Sequence, residues 1–243
     1  MSRLLIDIGN TRIKLACQDD GDIRSLPSTE RSDWGHEPAM RVSAACEGFR
    51  EVLVATVSRQ RDEEIIHSLE TYWGIEPAII DTCRQSSLID CAYEREYELG
   101  VDRWLAMIAA HKHSEQSVCV VDAGTAITID AVSSGGRHLG GIILPGLAFM
   151  MKYFRDDLGL SVREISPRFT LGASTQQCID AGFSMAIRAA VHTVMTMFQS
   201  PPCVWVTGGD GEHVRRILPF ESRFEPLLVL QGLVLVGDES ATS

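Results

Sequence analysis

Leu4-Leu5-Ile6-Asp7-Ile8-Gly9-Asn10-Thr11-Arg12-Ile13-Lys14-Leu15-Ala16-Cys17 (LLIDIGNTRIKLAC) places three turn-forming residues, Gly9, Asn10 and Thr11, between two β-prone arms. The pattern predicts a hairpin that enters through Leu4 to Ile8 and leaves through Ile13, Leu15 and Cys17, with Gly9, Asn10 and Thr11 at its tip. Such a tip can hold a phosphate. Gly9 lets the backbone approach an anion, Asn10 and Thr11 donate hydrogen bonds, and Asp7 can hold Mg²⁺ directly or through water. An ordinary hairpin turn capped by Asp and Asn would use the same residues.

The stretch has an echo. Leu5-Ile6-Asp7-Ile8-Gly9-Asn10-Thr11 is matched by Val120-Val121-Asp122-Ala123-Gly124-Thr125-Ala126, and each is followed by alternating apolar residues, Ile13 and Leu15 in the first case, Ile127 and Ile129 in the second. The spacing divides the chain nearly in half and predicts a duplication, with one α/β domain over residues 1–115 and a second over 116–243. Two such halves face to face would put both Asp-x-Gly turns at one cleft, where ligands of α/β proteins bind.

Bulk properties narrow the class. At 243 residues and 45% hydrophobic, the chain can bury a full core. Its apolar runs all fall short of the roughly 20 residues of a membrane span, and the basic-then-apolar layout of a signal peptide is absent, so a cytoplasmic enzyme is expected. A formal net charge of -11 argues against nucleic-acid and anionic-membrane partners, which require a positive field. A nucleotide is still admissible, because Mg²⁺ and backbone N–H groups can neutralise it. The seven cysteines, at 17, 46, 83, 91, 119, 178 and 203, contain no C-x-x-C pair and are read as reduced and mostly buried.

Periodicity outlines the remaining elements. Glu51 to Val57 reads as a buried strand, Arg59 to Trp73 as a helix and Pro77 to Ile80 as a short strand, followed by a loop from Ser86 to Glu98. Gly100 to His113 reads as a helix buried through Leu105, Ile108 and Ala109. Beyond the second Asp-x-Gly turn, Gly135-Gly136 marks a hairpin tip and Gly140 to Gly146 a return into a loop. Ala181 to Phe198 is an amphipathic helix, Cys203 to Val206 a buried strand, Leu227 to Val236 a last apolar segment and Asp238 to Ser243 a frayed tail.

If the chain handles ATP, it uses a phosphate cradle other than the common ones. A Walker A loop is absent, since Lys14, Lys112 and Lys152 are the only lysines and none follows a glycine. Val206-Thr207-Gly208-Gly209-Asp210-Gly211 is a small-residue turn over which an adenine ring could lie, or simply a tight strand-to-helix turn; its glycine spacing is not that of the dinucleotide fingerprint. Gly100-Val101-Asp102-Arg103 puts a carboxylate and a guanidinium at a helix start. Asp102 there serves as a cap or as a catalytic carboxylate, and Arg103 can pair with it or clamp an anionic substrate. His111 and His113, two apart, cannot share a helix face and are read as solvated rather than metal-binding.

Taken in order, these motifs resemble the type III pantothenate kinases of the actin, hexokinase and heat-shock ATPase superfamily. The matching residues are Asp7-x-Gly9-Asn10-Thr11, Tyr93 through Gly100-Val101-Asp102-Arg103, Asp122-Ala123-Gly124-Thr125-Ala126 with Thr128 and Asp130, Gly140-Gly141 through Pro145-Gly146, Gly172 to Thr175, and Thr207-Gly208-Gly209. The resemblance implies two duplicated ribonuclease-H-like domains facing an interdomain nucleotide cleft, and transfer of the γ-phosphoryl group of ATP to pantothenate, the first step of coenzyme A synthesis. It implies that Asp7, Ile8, Gly9, Asn10, Thr11, Arg12, Ile13, Lys14 and Thr125 bind ATP and that Asp102 is the general base. Tyr93, Gly100, Val101, Asp102, Arg103 and Thr175 would surround pantothenate. Asp122 would hold a monovalent cation, K⁺ or NH₄⁺, while Mg²⁺ would sit at Asp7, and the protein would be a homodimer with Thr175 acting near the interface. A sugar kinase of the superfamily and a non-catalytic accessory regulator on the same fold are the two rival readings. The first would lack the Tyr93 to Arg103 segment, and the second would have no need of Asp102 and Asp122.

Overall fold

Arg3–Ile8 (β1) pairs antiparallel with Arg12–Asp19 (β2), Asp7 standing opposite Lys14 and Ile8 opposite Ile13, so the opening hairpin forms where the polar tip requires it. The computed structural model describes residues 2–81 and 87–242. The chain forms two compact units, Met1–Ala109 with Leu227–Ser243, and Ala110–Pro226.

In the first unit, Asp22–Glu30 (β3) extends the hairpin, and His36–Ala45 (α1) leads to Glu51–Thr56 (β4), which runs parallel to β1. Arg59–Trp73 (α2) ends on Gly74 in the left-handed region and returns to Ala78–Ile80 (β5). The sheet order is β3-β2-β1-β4-β5. β1 and β4 are almost continuously buried because, as central strands, they are covered on both faces. Leu4, Ile6 and Ile8 share one core with Val42 and Leu69 of the two helices, and alternation therefore puts Asp7 on the other face.

Val101–Ser114 (α3) carries the chain from the first unit into the second. There Val118–Ala123 (β6), Ala126–Val132 (β7) and His138–Pro145 (β8) form an antiparallel meander. Leu147–Lys152 (α4) continues into a π-helical turn, Tyr153–Asp157. After Thr175–Met195 (α5) come Cys203–Thr207 (β9), parallel to β6, then Gly211–Ile217 (α6) and the short Arg223–Phe224 (β10). The order β10-β9-β6-β7-β8 repeats the first sheet strand for strand: a three-stranded meander with two parallel strands added beside its first member. The duplication read from the two Asp-x-Gly turns is therefore present in the topology. β6 also matches β1 in burial, its single partly exposed position being Asp122.

Several expectations need correction. Gly140 to Gly146 is not a return loop, because most of it belongs to β8, the edge strand. The segment from Leu227 onward belongs to the first unit rather than to a second half running over 116–243. It forms Leu228–Thr242 (α7), which packs on β1 and β4. A Cβ on Gly232 would lie 2.0 Å from the carbonyl oxygen of Leu105, so α7 and α3 touch backbone to backbone as only glycine permits. Asp238 is within that helix and forms an ion pair with Arg3, which also holds Glu51 at 2.6 Å. The expected frayed tail is thus, from Asp238 to Thr242, the end of a helix anchored at Asp238, and Ser243 lies outside the described residues.

The cysteine reading also changes. Cys17 of β2 and Cys46, which follows α1, form a buried disulfide with Cα atoms 5.6 Å apart. Of the cysteines described as free, Cys119 is buried, Cys91 and Cys203 are half-buried and Cys178 is exposed; Cys83 lies outside the described residues, as does Ser86 of the expected loop. The Cys119 thiol is pushed up to about 12 by burial and by the nearby Asp130 carboxylate, so it stays protonated and inert.

Candidate active site

The tip of the first hairpin closes with Gly9 N–H donating to Arg12 O at 3.0 Å. Asn10, Thr11 and Arg12 are exposed, as a ligand-binding tip must be, while Asp7 is 5% exposed and has Lys14 Nζ 3.9 Å from its Oδ2. Ile8 and Ile13 place their side chains in the core, so of these two only the backbone could meet a nucleotide. Arg12 pairs with Glu30 at 2.7 Å.

The second cluster of the first unit forms at the start of α3. Asp102, second residue of the helix, accepts the backbone N–H of Arg103 on Oδ1 at 2.8 Å, satisfying one of the donors that a helix start leaves over. Among the described residues its Oδ2 has no hydrogen-bond partner. The Arg103 side chain reaches Tyr93: Nη1 donates to the phenol oxygen at 2.9 Å and the guanidinium carbon lies 5.8 Å from the ring centroid. Arg103 is 6% exposed and cannot sweep through solvent, so the pair presents a fixed hydroxyl and cation beside Asp102.

In the second unit, three stretches meet at Asp122. β6 and β9 set Asp122 opposite Thr207, on the sheet face away from the core of Val121, Ile129 and Val206. The Thr207 hydroxyl is fully buried and its Oγ1 has no hydrogen-bond partner among the described residues. Gly208 follows with φ +91°, and a Cβ there would lie 2.3 Å from Ala123 O and 2.4 Å from Asp122 Oδ1. Asp210 N–H donates to Ala123 O at 2.9 Å, and Gly146 N–H to Thr125 O at 3.2 Å, so the Asp122 turn is braced from both sides. Thr125 is exposed at its tip.

Gly208→Ala is accordingly expected to lower Tm by at least ~2 °C, since a left-handed residue with a Cβ costs about 1–2 kcal/mol before any clash. Thermal unfolding checks this. A variant that melts with the parent would mean that the Asp122 turn does not depend on this approach.

Thr175 is the exposed first residue of α5, behind an N-cap in which Ser174 accepts from Gln177 N–H and Gln177 Oε1 accepts from Ala173 N–H at 2.9 Å. The Ser174-x-x-Gln177 pattern is a capping signal that places the helix start before Ala181. Thr128 and Asp130 follow Asp122 on β7, and Asp130 is buried 3.3 Å from His138 Nε2. His111 is half-buried, 3.2 Å from Ser134 O, and His113 stacks at 5.5 Å on Trp205 while remaining exposed; neither joins these clusters. Among the described residues no three His, Cys, Asp or Glu side chains gather as a metal cage. Motif reading named Thr207 only as part of a small-residue turn, since nothing in the sequence sets its hydroxyl against Asp122.

Comparison with known proteins identifies the family. The profile of the family described as type III pantothenate kinase matches residues 3–197. The type III pantothenate kinase of Nitrosococcus oceani is 32% identical over 253 residues, covering 98% of this chain and 94% of that one, and that of Idiomarina loihiensis is 33% identical over 258 residues, covering 97% and 98%. Among solved structures, a Baf family protein from Campylobacter jejuni described as a transcriptional activator aligns with a TM-score of 0.67 at 22% identity, covering 99% of this chain and all of that one. The activator of 2-hydroxyisocaproyl-CoA dehydratase from Clostridium difficile, solved with bound ADPNP, aligns with a TM-score of 0.55 at 14% identity, covering 100% of this chain and 98% of that one. At such identities these structures share the fold alone.

Proposed function

The chain belongs to the type III pantothenate kinase family, and from that membership we propose that it phosphorylates the primary hydroxyl of pantothenate with ATP. The observation that carries the reading is the pair of buried Arg103 and half-buried Tyr93 beside Asp102, whose Oδ2 has no hydrogen-bond partner among the described residues. A positioned carboxylate with an open oxygen is what hydroxyl activation needs, and phosphoryl transfer asks little more of a protein than orientation and neutralisation.

In the proposed reaction, Asp102 Oδ2 accepts the hydroxyl proton as the hydroxyl oxygen bonds to the γ-phosphorus. The bond from that phosphorus to its bridging oxygen breaks, and ADP leaves with the electron pair. Tyr93 and Arg103 orient the substrate through its polar groups, together with Gly100, Val101 and Thr175. Asn10, Thr11, the backbone from Asp7 to Lys14, and Thr125 hold ATP.

A kinase of this family uses a divalent metal with ATP, which screens phosphate charge. With one carboxylate at the first turn and no protein cage among the described residues, the residues fit Mg²⁺ held mainly by phosphates and water, with Asp7 directly or through water. At the second turn, one carboxylate beside a buried hydroxyl that has no hydrogen-bond partner among the described residues gives low charge and loose geometry, which fits K⁺ or NH₄⁺ better than Mg²⁺.

ADP release coupled to an indicator enzyme tests the reading: pantothenate should drive turnover, and glucose and N-acetylglucosamine should not, because a polar site rejects ligands that leave its groups unpaired. Sugar-dependent release would restore the sugar-kinase alternative, and silence with every acceptor the accessory-regulator one. The proposal includes the cytoplasm as its place; among the described residues no helix is long and apolar enough to cross a membrane.

The proposal also includes a homodimer. β8 is an edge strand whose Leu139 and Ile143 are 48% and 61% exposed, followed by Phe149 at 62% in α4. Bare apolar side chains on an open strand edge are an association surface. Ile143→Glu is expected to convert a dimer to a monomer, read by light scattering on the eluting peak; a parent already monomeric at micromolar concentration would remove the dimer.

A further inference from the structure

Asn10 can present two faces to a phosphate, and only one is attractive. Its Nδ2 hydrogens bind an anion, whereas its Oδ1 repels one, and rotation of the amide exchanges them. Arg61, at the start of α2, settles the exchange by donating from Nη1 to Asn10 Oδ1 at 2.6 Å. A flipped amide would set NH₂ against the guanidinium, donor against donor. The oxygen is therefore held by Arg61, and the hydrogens are what Asn10 has left to offer.

An exposed guanidinium by itself would be a poor anchor, and Arg61 is 43% exposed, lining a groove of about 780 Å³ together with Asn10 and Thr11. What fixes it is Asp62, whose side chain is fully buried. Asp62 Oδ1 takes Arg61 Nε at 3.3 Å and pairs with Arg31, while Oδ2 accepts from Thr56 Oγ1 at 2.5 Å. Arg31 returns to the same hairpin tip, its backbone N–H donating to Thr11 O at 2.8 Å and its Nη2 to Arg61 O at 3.2 Å. A buried carboxylate thus holds two arginines, and both hold the tip.

We propose that Arg61, anchored by Asp62, is a positioning residue for the nucleotide: it locks the Asn10 amide with its donors available to phosphate. The proposal rests on the reading of the Asp7 to Lys14 tip as the phosphate site. Arg61 itself touches no substrate in this scheme and acts through Asn10.

A double-mutant cycle on the full chain tests it, with affinity for a non-hydrolysable ATP analogue measured by calorimetry in Mg²⁺ and KM for each substrate measured alongside. Asn10→Ala and Arg61→Ala should each weaken the analogue and raise KM for ATP roughly ten- to a hundredfold, the usual worth of one hydrogen bond to a charged group. KM for pantothenate should stay within twofold, a split that general loosening of the fold would not give. The double variant should be no worse than Asn10→Ala, because Arg61 has nothing to position once the amide is gone. Arg61→Lys, which keeps a donor, should recover part of the loss, and circular dichroism of each variant should match the parent. Additive losses, or equal rises in both KM values, would overturn the positioning role while leaving the phosphate site standing. Parent-like ATP affinity in Asn10→Ala would overturn the phosphate site, and this proposal with it.

Discussion

Asp102→Asn is expected to lower kcat by roughly 10² to 10⁴ while Tm and nucleotide affinity stay close to the parent, the range typical of losing a positioned general base. The reasoning separates the two oxygens of one side chain. Oδ1 accepts the Arg103 N–H at the start of α3, and an amide oxygen can do the same, so the helix start survives the substitution. The proton-accepting capacity does not survive. In barrier terms the loss is about 3–5 kcal/mol, well above what a helix cap contributes. Steady-state kinetics with ATP and pantothenate, set beside a melting curve, decide the matter. Near-normal kcat would return Asp102 to capping alone, whereas a large fall in both Tm and affinity would mean that the carboxylate is structural.

The second large effect is expected at Asp122. Replacing it with Ala should remove most of the rate together with its dependence on K⁺, and the parent should be poorly active in Na⁺ alone. The local chemistry supports a monovalent ion at this point: a single half-buried carboxylate stands across from the Thr207 hydroxyl, which is buried without a hydrogen-bond partner among the described residues. A buried hydroxyl with unmet hydrogen-bonding capacity costs about 1–3 kcal/mol, and an ion that takes its lone pair offsets that cost. The same ion should stabilise the protein without any turnover, so the parent should melt higher in KCl than in NaCl at equal ionic strength, and Asp122→Ala should melt alike in both. Full activity in sodium buffer, with coincident melting curves in the two salts, would leave Asp122 as a residue that only shapes its turn.

Much of the molecule is determined by sequence acting locally. The Asp7 to Lys14 hairpin is encoded by β-prone arms around a Gly-Asn-Thr tip, and α2 by apolar spacing that runs from Arg59 to Trp73 and stops at a left-handed glycine. Both are properties of neighbours in the chain, where periodicity and turn chemistry act directly. The echo at Asp122 extends this to topology, because two similar segments under the same rules build the same sheet. Asp102 at a helix start and Gly9 at a hairpin tip were legible for the same reason.

What tertiary structure alone decided involves partners far apart in sequence. Glycines from 140 to 146 suggest a loop, yet Gly140 and Gly141 pair with Ala131 and Asp130 in β8, since an edge strand asks less of its side chains than a central one. An apolar final segment carries no mark of which sheet it will cover; Gly232 against Leu105 and Asp238 against Arg3 settle that α7 closes the first unit. Cys17 and Cys46 meet because β2 and the residue after α1 adjoin, which no spacing rule announces. The same holds for the chemistry. The types of the site residues were written in the motifs, but the contact of Arg61 with Asn10 and the burial of Thr207 across from Asp122 arise from the way strands and helices are laid side by side, because a side chain's surroundings in space are set by the register of elements that the chain itself keeps apart.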